Sequence, residues 1–133
     1  MRMSGKRMSS GATHTLLLMM IFQFQLGHGI WVPPVTTWTV GGDKGWTSAG
    51  AVTSWNDGKK FYVGDTLVFK DPKSDGVYMV SAGHDYENCV TQNGNQINGQ
   101  IKLSEVRKYY FISGYKSDCS SGMKITVDAH RSH

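Results

Sequence analysis

Short stretches rich in β-branched and aromatic residues recur along the chain from residue 37 onward. Each stretch is four to six residues long, and clusters of Gly, Asn and Asp lie between most of them. Runs of this kind at this spacing predict the strands of an all-β sandwich or barrel. The six predicted strands are Thr37–Val40, Thr66–Phe69, Val77–Ser81, Gln100–Leu103, Lys108–Ser113 and Lys124–Val127.

The segments between the predicted strands have the composition of turns. Turn residues cluster at Gly41–Asp43, Asn56–Gly58, Asp71–Gly76 and Asn93–Asn95. Only Asp85–Val90 has a pattern that predicts a short helix, and no other stretch is long enough to form a helical layer. With 133 residues, the chain has room for one domain and a short processed segment.

The first 29 residues differ from the rest and predict a signal peptide. Arg2, Lys6 and Arg7 form a basic start, and the apolar run Thr15–Leu26 is followed by small residues. The apolar run is shorter than the roughly 20 residues that a membrane-spanning helix needs, so a membrane anchor is the weaker interpretation. We expect cleavage between residues 27 and 37, a domain over 37–128 and a short tail at 129–133.

The net positive charge of the whole chain comes mostly from the predicted signal peptide. The chain has 14 Lys and Arg against 10 Asp and Glu; three of the basic residues and none of the acidic ones precede residue 30, which leaves 11 against 10. No basic cluster remains in the mature part, so we expect neither a nucleic-acid partner nor an anionic membrane surface.

Cys89 and Cys119 are the only cysteines, and both lie in the part that enters an oxidising compartment. We therefore expect them to form a disulfide. The alternative, a reactive or metal-bound pair of thiols, is disfavoured because the spacing matches no zinc pattern.

Three motifs, together with Trp55, Lys59 and Cys89, form one pattern along the chain. These motifs are Gly41-Gly42-Asp43-Lys44-Gly45-Trp46, the stretch Phe61–Phe69 around Val63-Gly64-Asp65, and Tyr110-Phe111-Ile112 leading to Cys119–Ile125. In this order and spacing they resemble the phytocyanins, the plant cupredoxins. The resemblance covers about Thr37 to Val127. It implies a cupredoxin-like Greek-key β-sandwich of seven to eight strands with one short helix, and a disulfide at the two cysteine positions.

The resemblance also assigns four copper-ligand positions, which can be compared with this sequence. Copper-binding phytocyanins hold the metal with two histidines, a cysteine thiolate and a weak axial methionine or glutamine. The two histidine positions are Asp75 and Asp118 here, the thiolate position is Ser113, and only the axial Met123 is kept. The chain thus resembles the early nodulin-like, copper-ligand-less members of the family.

Ligand chemistry indicates what these replacements do. A serine hydroxyl is a hard, neutral ligand and cannot supply the thiolate bond of a blue-copper site. We therefore expect no copper and no other cofactor. Two solvated aspartates are favoured over a Ca²⁺ or Mg²⁺ site at Asp75 and Asp118, since Ca²⁺ takes six to eight oxygen ligands. Met123 is interpreted as a core residue and His84 as a turn residue.

The sequence does not predict an enzyme. Ser113, His84 and an aspartate could be assembled into a triad on paper, but triads are recognised by geometry, and no nucleophile-elbow or metalloprotease motif occurs. The remaining function is recognition. Most of the tryptophans and tyrosines are expected in the core. Tyr115 and Lys116 are the candidate binding residues, because they lie in the Ser113–Asp118 loop beside the altered ligand positions.

These observations predict a secreted, monomeric binding module whose partner is an extracellular glycan or a cell-surface protein. The alternative is a blue-copper-type electron transfer protein that binds copper in an unusual way. Only six residues follow Val127, so no lipid-anchor signal of the GPI type is expected. No Asn-x-Ser/Thr sequon occurs, and N-glycosylation is therefore not expected.

Overall fold

The computed structural model describes residues 34–71, 76–81 and 83–132, and these form eight strands in two sheets. The strands are β1 Thr37–Thr39, β2 Phe61–Tyr62, β3 Thr66–Val68, β4 Val77–Val80, β5 Asn95–Ile97, β6 Gln100–Lys102, β7 Lys108–Ser113 and β8 Lys124–His130. One sheet has the order β1-β3-β6, and the other has the order β2-β8-β7-β4-β5. The expected two-sheet architecture is confirmed.

The first and last strands of the domain make parallel pairs, while the centre of the larger sheet is antiparallel. Strand β1 runs parallel to β3, and β2 runs parallel to β8. Strand β7 pairs antiparallel with both β4 and β8, with Val77 opposite Ser113 and Phe111 opposite Ile125. Side chains alternate across a strand, so these residues share one face of the sheet.

That shared face packs into the main hydrophobic core. Phe111 is fully buried, Val77 is almost fully buried, and both contact a cluster that includes Trp46, Leu67 and other apolar side chains of both sheets. The opposite face of β7 and β4 is also buried, because Ile112 and Val80 belong to a second cluster that contains the two cysteines. Strand β7 therefore lacks simple in-out alternation.

Two of the three short helices, together with the disulfide, cover this second face, whereas the first helix packs against the main core. The helices are α1 Ala49–Val52, α2 Gly83–Glu87 and α3 Lys116–Ser120, and a 3-10 turn occurs at Gly42–Lys44. Both α2 and α3 pack against β7. The Cys89–Cys119 disulfide joins the segment after α2 to α3, with a Cα–Cα distance of 5.9 Å, which confirms the predicted pairing.

Several local predictions need correction. The single helix expected at Asp85–Val90 is α2, which lies at Gly83–Glu87, and α1 and α3 were not predicted. Ser48 caps α1 by accepting a hydrogen bond from the Ala51 N–H at 3.2 Å. Because α1 has only four residues, its sequence shows no helical periodicity that would have predicted it.

Two strands were also missed, and one was predicted too short. Asn95 was assigned to a turn but begins β5, because its backbone pairs with Met79. Strand β2 is only two residues long and exists through its pairing with Ala129 and His130. Those two residues were assigned to the tail, yet they belong to β8. The predicted signal peptide at 1–29 lies outside the described residues.

Candidate functional site

Ser113, at the position where the resemblance implies a thiolate, is the last residue of β7. Its side chain is almost completely buried, with 2% of its surface exposed. The hydroxyl oxygen accepts a hydrogen bond from the Tyr115 N–H at 3.2 Å. A buried polar side chain is stabilised by such a partner, since it would otherwise lose its hydration without compensation. Ser113 thus closes a local turn.

Backbone hydrogen bonds bring three of the four ligand positions together. The Ser113 N–H donates to the Met123 carbonyl at 3.1 Å, and the Met123 N–H donates to the Asp118 carbonyl at 2.9 Å. The Met123 side chain belongs to the main core and is 3% exposed, as expected of a core residue. Asp118 lies within α3 and is partly exposed.

The fourth position, Asp75, lies outside the described residues. Its neighbour Gly76 is described, and the Gly76 carbonyl accepts a hydrogen bond from the Gly114 N–H at 3.1 Å. The start of β4 therefore lies against the residue that follows Ser113. The expectation that Asp75 and Asp118 are two solvated aspartates stays a prediction, because Asp75 is not among the described residues.

These residues do not fit a blue-copper centre. Such a centre needs a cysteine thiolate, and both cysteines of the chain are joined in the disulfide. Ser113 offers only a hydroxyl oxygen that already accepts a hydrogen bond. Within residues 34–71, 76–81 and 83–132, no three His, Cys, Asp or Glu side chains are grouped closely enough to hold a metal ion.

His84 makes no hydrogen bond to Ser113 among the described residues. It lies in α2, rather than in a turn, and its exposed imidazole Nδ1 is 3.4 Å from the Asp85 carboxylate. In the described part of the chain, the Ser113 hydroxyl has its bond to Tyr115 and none to His84. The arrangement required of a catalytic triad is therefore not formed.

Tyr115 and Lys116, the predicted binding residues, lie at the surface beside Ser113. Tyr115 is 53% exposed, the largest exposure of a Phe, Trp or Tyr residue in the described part of the chain. The segment is not the continuous loop that was expected, because α3 begins at Lys116 and the Cys119 N–H donates to the Tyr115 carbonyl. The helix and the disulfide hold Tyr115 in place.

The other large aromatic residues mostly fill the sandwich, as predicted. Trp46 is 1% exposed, while Trp38 and Trp55 are partly buried and pack edge-on against each other with their ring centroids 6.2 Å apart. These tryptophans are thus largely unavailable to a partner.

The structure also contains a surface cavity that the sequence analysis missed. It has a volume of about 150 Å³, and its lining includes Arg107, Asn93 and Asn95. No sequence motif marks it. The only available signal was that Arg107 lies two residues before Tyr109, which places both side chains on one side of an extended strand.

No helix within the described ranges is long and apolar enough to cross a membrane.

Comparison with known proteins agrees with the fold and the sequence motifs. A family model described as a plastocyanin-like domain matches residues 46–123. The basic blue protein of Cucumis sativus is 38% identical over 97 residues, which cover 69% of this chain and 97% of that protein. Early nodulin-like protein 12 of Arabidopsis thaliana is 34% identical over 122 residues, which cover 84% of this chain and 63% of that protein.

A solved structure gives the same result. Cucumber stellacyanin, determined with Cu²⁺, superposes with a TM-score of 0.64 at 25% identity, over 74% of this chain and 98% of stellacyanin. The similarity thus includes both proteins named for copper and proteins named as early nodulin-like. On the family match and these relatives together, the chain belongs to the plastocyanin-like, or phytocyanin, family.

Proposed function

We propose that this protein is a non-redox phytocyanin that acts outside the cell as a binding module, with a glycan or a cell-surface protein as its partner. The proposal rests on the state of the two cysteines. Both are consumed by the Cys89–Cys119 disulfide, so no thiolate is available to bind copper.

The end of the sandwich where relatives place a metal would serve as the binding surface. Tyr115 projects there with half of its surface exposed, and it is anchored by the helix α3 and the neighbouring disulfide. A rigid, exposed tyrosine offers a large contact area at a low cost in side-chain entropy. Lys116 adds a positive charge beside it.

A glycan array and a pull-down of cell-surface proteins test the proposal, with the purified protein compared with Tyr115→Ala and Lys116→Ala. We expect at least one class of partner to be retained by the unsubstituted protein and to be weakened by Tyr115→Ala. Val106→Ala is the matched control, since Val106 is a similarly exposed apolar residue, with 55% of its surface accessible. Absence of any partner, or equal weakening by the control, contradicts the proposal.

A further inference from the structure

The cavity of about 150 Å³ lies at the end of the larger sheet opposite to Ser113. Its lining consists of Met79, Val80, Ser81, Asn93, Asn95 and Arg107. Arg107 directly precedes β7, and Ser113 ends that strand, so the two are separated by about 20 Å at the usual rise of a strand. The cavity is therefore a different site from the Tyr115 surface.

Arg107 is held in a fixed position at the cavity. Its guanidinium carbon lies 4.4 Å from the centroid of the Tyr109 ring, and that ring is itself only 3% exposed. Nη1 of Arg107 is 3.6 Å from the Glu105 carboxylate, and the backbone carbonyl of Arg107 accepts a hydrogen bond from the Ala129 N–H at 2.9 Å. Stacking occupies the face of the guanidinium, while 35% of the side chain stays exposed.

Neutral polar groups complete the lining. In the described ranges, no hydrogen bond engages the side-chain amides of Asn93 and Asn95 or the Ser81 hydroxyl. Gly94 lets the turn pack closely on β4, because a Cβ atom there would lie 2.9 Å from Val80 Cγ1. Asn93 and Asn95 flank Gly94 in the sequence, so the close packing of Gly94 on β4 holds both residues near that strand.

We propose that this cavity binds a uronate residue of an acidic glycan. The sugar carboxylate would displace the exposed Glu105 carboxylate from Nη1 and pair with the planar fork of the Arg107 guanidinium, the preferred partner for bidentate recognition of a carboxylate. The ring hydroxyls would bond to the amides of Asn93 and Asn95. The cavity is smaller than the roughly 300 Å³ at which drug-sized sites begin, which suits a single sugar ring.

An acidic peptide side chain also carries a carboxylate, but it lacks the hydroxyl groups that match two amides and a serine. The sugar therefore uses more of the lining than the peptide does. The site lies apart from Tyr115, so the inference stands whether or not the Tyr115 surface binds a partner.

Titration calorimetry with trigalacturonate tests this inference on the purified protein. We expect saturable binding that Arg107→Gln weakens by about tenfold or more, because a charge-assisted bidentate contact is lost. Arg107→Lys keeps the charge without the fork and should weaken binding by several-fold. Lys108→Gln is the matched control, since Lys108 is adjacent, equally charged and 49% exposed, and it should change the affinity less than about twofold.

Two further probes identify the ligand class. The fully methyl-esterified trisaccharide keeps the hydroxyls but lacks the charge, and a triglutamate peptide keeps the charge but lacks the sugar; both should bind much more weakly. Chemical-shift changes on adding trigalacturonate should appear at the side-chain amides of Asn93 and Asn95, a result that needs no variant. No saturable binding, equal binding of either probe, equal loss in Lys108→Gln, or shifts at Tyr115 instead would overturn the inference.

Discussion

The Ser113 N–H donates a hydrogen bond to the Met123 carbonyl at 3.1 Å and so joins the end of β7 to the residue that precedes β8. This bond places the thiolate position and the axial position of the family's copper site side by side. The two positions to which the resemblance assigns the thiolate and the axial ligand are therefore adjacent in this fold, although the side chain at 113 is a buried hydroxyl.

The first prediction concerns copper. The purified protein titrated with Cu(II) should stay colourless, because the intense blue band arises from a copper-thiolate bond that Ser113 cannot supply. Asp75→His, Ser113→Cys and Asp118→His together should create the band, since Met123 and the fold are already present. Absorption spectroscopy measures both.

The matched control for copper is the double variant Asp75→His with Asp118→His, which lacks the thiolate and should stay colourless. An intense blue band in the unsubstituted protein with equimolar copper would contradict the non-redox proposal and favour electron transfer.

The second prediction concerns Asp65, a carboxylate that is 1% exposed. It accepts hydrogen bonds from the Thr36 N–H at 2.9 Å, the Trp38 indole N–H at 3.0 Å and the Tyr62 N–H at 3.0 Å. Asp65→Asn replaces one acceptor oxygen by a donor that faces another donor. The free energy of unfolding should fall by about 1 to 3 kcal/mol, measured by urea denaturation.

Asp128→Asn serves as the control for Asp65. The Asp128 side chain is 59% exposed, and its carboxylate lies 3.9 Å from the Lys108 ammonium. Such exposed pairs contribute little, so the change should stay below about 0.5 to 1 kcal/mol. An equal effect of both substitutions would show that the network around Asp65 does not support the fold.

The third prediction concerns Gly94. A Cβ atom at this position would lie 3.0 Å from the Met79 carbonyl oxygen, and backbone cannot move aside as a flexible side chain can. Gly94→Ala should therefore reduce the free energy of unfolding by about 1 to 3 kcal/mol, as overpacking does. Chemical denaturation provides the measurement.

Gly83→Ala is the matched control for Gly94. Gly83 begins α2, and among the described residues outside its own helix nothing lies within 4 Å of the Cβ position there. The substitution should be neutral or stabilise by up to about 1 kcal/mol, since alanine favours helix. If Gly94→Ala leaves the free energy of unfolding unchanged, the turn can shift away from β4 and the prediction is wrong.

The fourth prediction concerns alkaline pH. Burial raises the pKa of Tyr86 above its ordinary value near 10, and the negative charge of Glu87 raises it further. In the unfolded chain the phenol loses its proton at lower pH than in the folded protein. The folded state therefore binds more protons in that window, and stability should fall as the pH rises above about 10 towards the folded pKa.

Tyr86→Phe removes this contribution, so its stability should fall less steeply between pH 9 and pH 11 than that of the unsubstituted protein (about one unit on either side of the ordinary tyrosine pKa). Urea denaturation at each pH gives the comparison. Tyr115→Phe, at an exposed tyrosine, should keep the original slope. Identical slopes for all three proteins would refute the assignment to Tyr86.

A strand could be predicted from the sequence when its own residues favour an extended backbone, and was missed when it forms only by pairing with another strand. The strand Lys108–Ser113 was predicted with the bounds it has, because six consecutive residues with aromatic and β-branched members favour an extended backbone by themselves. Strand Asn95–Ile97 was missed because two of its three residues are polar. Its conformation comes from pairing with β4, which lies far from it along the chain.

By itself, the sequence determined the chemistry that this protein can offer: an oxygen at residue 113, carboxylates at 75 and 118, and two cysteines that suffice for one disulfide. These are properties of atoms and counts, and folding cannot change them. Only the tertiary structure decided that the Ser113 side chain is buried, and that Arg107 meets Asn93 and Asn95 at one cavity. Such encounters depend on strand pairing between distant segments, for which no single stretch of sequence carries a local signal.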